Sequence, residues 1–175
     1  SRLFADCGAF QFRDMGVPRL GDGAVLDHAS AWRMYSEAHL RGKEQDWEEI
    51  LLCSPDHIVT EGMSDEEAAS RLEYTVNNAP GFLDSAAREV RVTAVAVIHG
   101  RTVRERKEQY DRFVSMGFDY VALGGMVPFS GKTDRVLEII CDSDDPEYPS
   151  VGEDSILSRC RRDGVRLHIF GLNSP

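Results

Sequence analysis

Short apolar runs alternate along the chain with longer amphipathic stretches, and this alternation predicts strands separated by helices. The apolar runs predict strands at residues 2–5, 50–53, 92–98, 120–123 and 165–170. From residue 94 to residue 98 the third run consists only of Val, Ala and Ile, which is typical of a strand buried on both faces of a parallel sheet. The order of elements therefore predicts an α/β fold with a parallel sheet, and a barrel and a doubly wound sheet both fit it.

Amphipathic spacing and end signals predict the first helix and the last two. The first is expected over residues 25–40, with Gly42 ending it. The two others are shorter and are expected around residues 134–140 and 154–162. They lie on either side of an acidic, proline-containing stretch at residues 142–149, which we interpret as a surface loop.

Two further helices begin with capping-box patterns, Ser64 with Glu67 and Thr102 with Glu105. The first of these helices is expected to break at residues 78–81, because the sequence Asn-Ala-Pro-Gly contains a proline followed by a glycine. The second is expected to end at Gly117. Because no linker or internal repeat divides the chain, we expect a single domain over residues 1–175.

Polar and glycine residues follow the predicted strands at the point where each strand ends. They are Asp6, Asp56, His99, the pair Gly124 and Gly125, and Gly171. Ligands bind at the carboxyl ends of parallel strands, in a barrel and in a doubly wound sheet alike. Carboxylates accept hydrogen bonds from ring N–H and amino groups, histidine can donate to a carbonyl, and glycine lets a backbone N–H approach closely. The set therefore predicts a site for a planar polar ring.

Each of these residues also has an ordinary structural explanation. Asp6 and Asp56 fit turn or cap positions, and a single histidine such as His99 is usually a satisfied core residue. Their occurrence at one strand end after another favours the functional interpretation.

Two segments of the sequence resemble nucleotide-binding motifs but do not match them. Residues 130–133, Ser-Gly-Lys-Thr, lie between a strand and a helix, as a phosphate-binding loop does. The first glycine of that motif would fall at Met126, and Gly125 is one residue off. Residues 6–10 also lack the glycine-rich fingerprint of a Rossmann fold.

Charge adds a constraint on nucleic-acid binding. The net charge is −10, whereas proteins that bind nucleic acid usually present a basic face to the phosphates. Two local basic clusters are present, one of Arg101, Arg104, Arg106 and Lys107 and the other of Arg159, Arg161 and Arg162. We interpret both as solvated helix faces.

Cysteine spacing and hydropathy indicate the class of protein. Cys7, Cys53, Cys141 and Cys160 are far apart and form no C-x-x-C pair, so neither a disulfide framework nor a zinc knuckle is indicated. Reduced thiols in a cytoplasmic protein are expected. No apolar run approaches the length of a membrane span, so no membrane partner is expected.

Four segments resemble motifs of the tRNA-guanine transglycosylase superfamily, in the same order along the chain. Residues 6–11, Asp-Cys-Gly-Ala-Phe-Gln, resemble its Asp-Ser-Gly-Gly-aromatic-Gln motif. Residues 54–57, Ser-Pro-Asp-His, are similar to the Ser-x-Asp-His segment of the branch that inserts 7-deazaguanine bases into DNA. Residues 116–126 resemble the run Gly-Tyr-Asp-Tyr-Ile-Ala-Leu-Gly-Gly-Leu, which is the most specific of the four. Residues 167–172 look like Leu-His-Leu-Phe-Gly-Val.

The resemblance implies a parallel (β/α) barrel of TIM type, of which this chain would supply about five of the eight βα units. Asp6 would be the catalytic acid/base that handles the proton of the exchanging base, and Asp56 would accept from the amino edge of that base. Phe10 and Phe170 would stack on its two faces. The other implied substrate-binding positions are His99, Gly124, Gly125 and Met126.

Two of these positions would face the carbonyl oxygen of the base. The resemblance implies that the backbone N–H of Gly125 meets this oxygen. His99 falls where the enzymes that act on tRNA have a glutamine, and an imidazole N–H can also donate to a carbonyl.

The activity implied by the resemblance is base exchange, in which guanine in a nucleic acid is replaced by a 7-deazaguanine through a covalent glycosyl-enzyme intermediate. DNA is the favoured partner and tRNA is the alternative, and other proteins of a modification system are possible partners. A non-catalytic subunit that binds a base or a nucleic acid, and an unrelated barrel lyase or aldolase, stay open as hypotheses.

Two family features are expected outside residues 1–175. One is the nucleophilic aspartate, which lies on the strand after the Phe-Gly motif, and the other is the C-terminal zinc site of the tRNA enzymes. We therefore expect the chain to be a fragment that lacks the nucleophile and has no cofactor of its own, with zinc bound only if the full protein has the C-terminal site.

Overall fold

The computed structural model describes residues 1–41, 47–143 and 150–171. The predicted helix end at Gly42, most of the predicted loop at residues 142–149, and Leu172 of the fourth motif lie outside the described residues.

Five parallel strands form one sheet in the order in which they occur along the chain. They are β1 (Arg2–Ala5), β2 (Glu49–Cys53), β3 (Val92–Ile98), β4 (Tyr120–Leu123) and β5 (Arg166–Ile169). Each strand pairs in parallel with the next. The predicted α/β class, the parallel sheet and all five predicted strands are confirmed.

The sheet is curled, with the described helices packed on its convex face. They are α1 (His28–Tyr35), α2 (Asp65–Ala86), α3 (Val103–Met116), α4 (Thr133–Cys141) and α5 (Ile156–Asp163). Alternate strand residues join the helices in the main core, and the others form a smaller cluster on the concave face. Phe4 of the edge strand β1 contacts His168 of the other edge strand, β5, with ring centroids 4.5 Å apart. Because side chains of the two edges meet, the sheet has the shape of a half-barrel.

The predicted helix starts at Ser64 and Thr102 are confirmed. The Ser64 hydroxyl accepts from the backbone N–H of Glu67, and the Thr102 hydroxyl accepts from that of Glu105. Helix α3 ends at Met116 and is followed by Gly117, which has a left-handed φ of 105°, as expected for a glycine C-cap.

Two predicted helix boundaries are wrong. The first helix starts at His28 instead of residue 25, because the Asp27 side chain accepts from the Ser30 N–H and fixes the start there. It ends at Tyr35 and is followed by a π-helical turn, Ser36–Leu40.

Helix α2 also runs through residues 78–81 instead of breaking there. Asn78 accepts a hydrogen bond from the N–H of His28, so it joins α2 to the start of α1. Gly81 leaves space for the His28 ring, which would lie only 2.5 Å from a Cβ at that position. Packing between the two helices therefore outweighs the low helix propensity of Pro80 and Gly81.

Every helix in the described part of the chain is too short or too polar to span a membrane.

Candidate functional site

A cleft of about 380 Å³ opens at the carboxyl ends of the strands. It brings together all the residues that the sequence singled out as site candidates, namely Asp6, Phe10, Asp56, His99, Gly124, Gly125, Met126 and Phe170. These residues come from the segments after all five strands, so the parallel topology alone places them at one edge of the sheet. Their individual roles stay predictions.

Asp56 lies buried beside this cleft, and each of its carboxylate oxygens is within hydrogen-bond distance of another side chain. The Cys7 thiol donates to Oδ1 over 2.7 Å, and Nε2 of His99 lies 2.6 Å from Oδ2. These two contacts orient the carboxylate. Since each carboxylate oxygen has two lone pairs, Asp56 can still accept hydrogen bonds from a ligand.

Asp6 is the more accessible of the two carboxylates and is exposed to the cleft. The surrounding protein removes part of its hydration, and this desolvation is the larger cause of a raised pKa. The second cause is the negative charge of Asp56. When two neighbouring carboxylates have different environments, one can exchange a proton while the other remains an oriented hydrogen-bond acceptor.

Asp6, Cys7 and Asp56 also bring three ligand-type atoms within 4.8 Å of one another. A metal would need the thiolate of Cys7, but burial and the two carboxylates raise the pKa of this thiol well above its ordinary value. The thiol proton is already donated to Asp56. We therefore assign these atoms to hydrogen bonding. A single cysteine also does not match the donor set of a structural zinc site. All four cysteines of the chain are free.

His99 is buried against Gly124, where a Cβ would lie only 2.3 Å from the imidazole Cε1. Its Nε2 faces Asp56, whereas Nδ1 has no hydrogen-bond partner among the described residues. In the neutral tautomer that donates from Nε2, Nδ1 is an acceptor, so this tautomer does not provide the predicted donation from His99 to a base carbonyl.

Gly125 also lines the cleft, next to His99, with a left-handed φ of 67°. This conformation strains other residues, and a Cβ would also lie 3.3 Å from the carbonyl oxygen of Val59. Its N–H makes no hydrogen bond within the described parts of the chain. The residue therefore presents a free backbone donor at the cleft.

Two aromatic rings, those of Phe10 and Phe170, line the cleft. Phe10 is 54% exposed and carries the guanidinium of Arg13 over its ring at 4.3 Å from the centroid. Phe170 packs edge-on against Phe4 on the concave face, with ring centroids 5.7 Å apart. An exposed ring and a supported ring are suited to contact the faces of a planar ligand.

The sequence did not identify the residues that hold the Phe10 loop in place. Arg71 of α2 is buried and donates to the carbonyl oxygens of Arg13 and Ile58 over 2.9 Å and 2.8 Å. Nε2 of His57 lies 2.8 Å from the carbonyl oxygen of Met15, and burial lowers the pKa of this imidazole. His57 is the fourth residue of the Ser-Pro-Asp-His segment, and this motif was the signal in the sequence that could have indicated its role.

The interpretation of the two basic clusters as solvated faces is wrong for Arg106, which is buried under the Gly124–Gly125 turn and donates to the Gly124 carbonyl oxygen over 3.0 Å. Several other charges of these clusters pair with carboxylates. Lys107 pairs with Asp142, and Arg159 pairs with Asp111. These pairs line a groove of about 540 Å³ on the helical face of the protein.

Comparison of the sequence with protein-family profiles and with curated proteins finds no match.

Proposed function

We propose that the cleft binds a guanine-type base and that the chain is part of a base-exchange transglycosylase. This enzyme would replace guanine in a nucleic acid with a 7-deazaguanine, as the resemblance to the tRNA-guanine transglycosylase superfamily implies. The observation that carries the proposal is the single cleft, which joins Asp6, Asp56, Phe10, Phe170 and Gly125.

The polarity of the cleft supports a guanine-type ligand. Guanine carries N–H and amino donors on one edge and an adjoining carbonyl oxygen, and 7-deazaguanine keeps both. Asp56 offers an oriented acceptor for the donors, and the free N–H of Gly125 suits the carbonyl. Adenine, with an amino group in place of the carbonyl, would present a donor to a donor.

The proposed mechanism uses Asp6 for proton transfer. A carboxylate attacks the sugar carbon and the N-glycosidic bond to guanine breaks, while Asp6 in its protonated form gives its proton to the departing base, which leaves a glycosyl ester and neutral guanine. The incoming 7-deazaguanine then loses its N9 proton and attacks the same carbon, which releases the carboxylate. Asp6 can accept this proton, because its raised pKa makes it a stronger base than an ordinary aspartate. In the family the attacking carboxylate comes from the strand after the Phe-Gly motif.

The wider setting follows the resemblance. We propose that the half-barrel belongs to a parallel (β/α) barrel of TIM type, that DNA is the favoured polymer with tRNA as the alternative, and that the protein acts in the cytoplasm, with other modification proteins as possible partners. The target base must leave its stack to reach the cleft. Zinc would bind only at the C-terminal site that the tRNA enzymes have.

A second candidate is a subunit that binds the base without exchanging it. The observation in its favour is that Asp56 is buried and bonded through both oxygens, so it is poorly placed to attack a sugar.

Incorporation of tritiated 7-deazaguanine into guanine-containing DNA, and separately into tRNA, tests the proposal when it is measured with a protein that includes the strand after the Phe-Gly motif. Asp6→Asn should abolish incorporation while the base still binds. Asp119→Asn, an exposed change at the opposite end of β4, should behave as the wild type. Normal incorporation by Asp6→Asn would contradict the assigned role. Base binding without incorporation into either polymer would favour the second candidate.

A further inference from the structure

Arg106 is a buried cation placed directly behind the cleft. Its side chain is 3% exposed, and it passes through the space left by Gly100, where a Cβ would lie 2.9 Å from the Arg106 Cγ. Within the described residues it forms no ion pair. Glu61 and Glu105 attract it from farther away. Desolvation lowers the pKa of Arg106 to about 10, so the group stays charged at neutral pH.

The charge acts on one particular peptide unit. The guanidinium Nη1 donates to the carbonyl oxygen of Gly124, and this oxygen belongs to the same peptide group as the N–H of Gly125. A cation bonded to an amide oxygen draws electron density from the amide nitrogen, so the N–H becomes a stronger donor. The polarised N–H is the free donor that Gly125 presents at the cleft.

We propose that Arg106 is a positioning residue that fixes the Gly124–Gly125 turn and polarises its peptide group, so that the cleft selects ligands with a carbonyl oxygen facing Gly125. Arg106 does not line the cleft, and its hydrogen bond connects it to the cleft through this peptide. The inference rests on the proposed function, because the carbonyl in question is the one at C6 of a guanine-type base.

The relative affinity of the cleft for two purines distinguishes this role from a purely structural one. Guanine and 2-aminopurine share the purine ring and the 2-amino group, but 2-aminopurine has no C6 carbonyl and no hydrogen on N1. If Arg106 polarises the Gly125 N–H, its charge matters for guanine and hardly for 2-aminopurine. If Arg106 only supports the turn, its loss should weaken both ligands equally.

The experiment measures the Kd of both ligands by calorimetry for the wild type and for three variants. Arg106→Gln should weaken guanine binding by about 10-fold, because the variant loses the positive charge that strengthens the Gly125 N–H as a donor. It should change 2-aminopurine binding by less than about 3-fold. Arg106→Lys, which keeps the charge, should retain the preference for guanine. The control Arg104→Gln removes the same charge from an exposed position on the same helix and should change neither Kd.

Equal weakening of both ligands by Arg106→Gln would overturn the inference, and so would loss of the guanine preference in a folded Arg106→Lys variant. If Arg106→Gln does not fold, the same comparison is made with Arg106→Met, which keeps the aliphatic stem beside Gly100; if that variant also fails to fold, the Lys variant decides. A wild type that binds neither purine would overturn the proposed function itself, and this inference with it.

Discussion

Replacing Asp56 with asparagine should separate recognition of the base from stability of the fold. The change keeps the size of the side chain and replaces an anionic acceptor with an amide that has one oxygen and one NH₂ group. Two protein donors, the Cys7 thiol and Nε2 of His99, now compete for that single oxygen. His99 can relieve the conflict by moving its proton to Nδ1, which has no partner in the described structure.

The expected magnitudes follow from these contacts. The tautomer change ends the competition for the single oxygen but leaves the Nδ1 N–H without an acceptor in the described structure, so the free energy of unfolding should fall by about 1–3 kcal/mol. Binding of 7-deazaguanine to the folded protein should fall as well, since its amino edge would meet a weaker acceptor or the amide NH₂. The loss of a charged hydrogen bond is worth about 1.5–3 kcal/mol, which is roughly a 10- to 150-fold increase in Kd.

Calorimetric titration with 7-deazaguanine measures the effect, and chemical denaturation of the same samples measures stability. Asp119→Asn, an exposed change remote from the cleft, is the matched control. An unchanged Kd for Asp56→Asn would refute the assignment of Asp56 to the amino edge, and a large loss of stability with unchanged affinity would leave only its structural role.

The remaining predictions concern residues around the cleft. The raised pKa of Asp6 means that the native state keeps a proton that the unfolded chain releases, so stability falls as pH rises above the ordinary value of 3.8. Asp6→Asn should therefore raise the melting temperature near neutral pH and not below that value; a lower neutral melting temperature would contradict this. Gly124→Ala places a Cβ into the buried imidazole beside it and should destabilise the fold by about 1–3 kcal/mol in denaturation, whereas Gly62→Ala, with open space around it, should not. Arg71→Leu leaves loop carbonyls without a donor and should accelerate tryptic cleavage after Arg13; an unchanged cleavage rate would show that Arg71 does not hold the loop.

The strands and the position of the cleft could be predicted because they depend on local pattern and on one topological rule. The apolar run at residues 94–98 of β3 predicts a buried strand, and parallel strands bring the residues that follow them to one edge of the sheet. Asp56 and His99 are 43 residues apart in sequence, yet this rule placed both in one site without a view of their contact.

The errors arose where distant parts of the chain decide the local outcome. Proline and glycine at residues 80 and 81 resemble a helix break, but the close approach of His28 makes the small glycine an advantage. Arg106 has the spacing of a solvated helix face, and it is buried because Gly100 leaves room for its stem and the Gly124 carbonyl needs a donor. Neither contact leaves a periodic signal in the sequence.

The structure of crystals of this protein soaked with 7-deazaguanine tests the central claim most directly. The residues that line the cleft predict where each edge of the base lies. We predict that the ring lies between Phe10 and Phe170, with its amino edge at Asp56 and its carbonyl oxygen at the N–H of Gly125. A base bound elsewhere, or bound in this cleft with its amino edge turned towards Gly125, would contradict the proposed recognition.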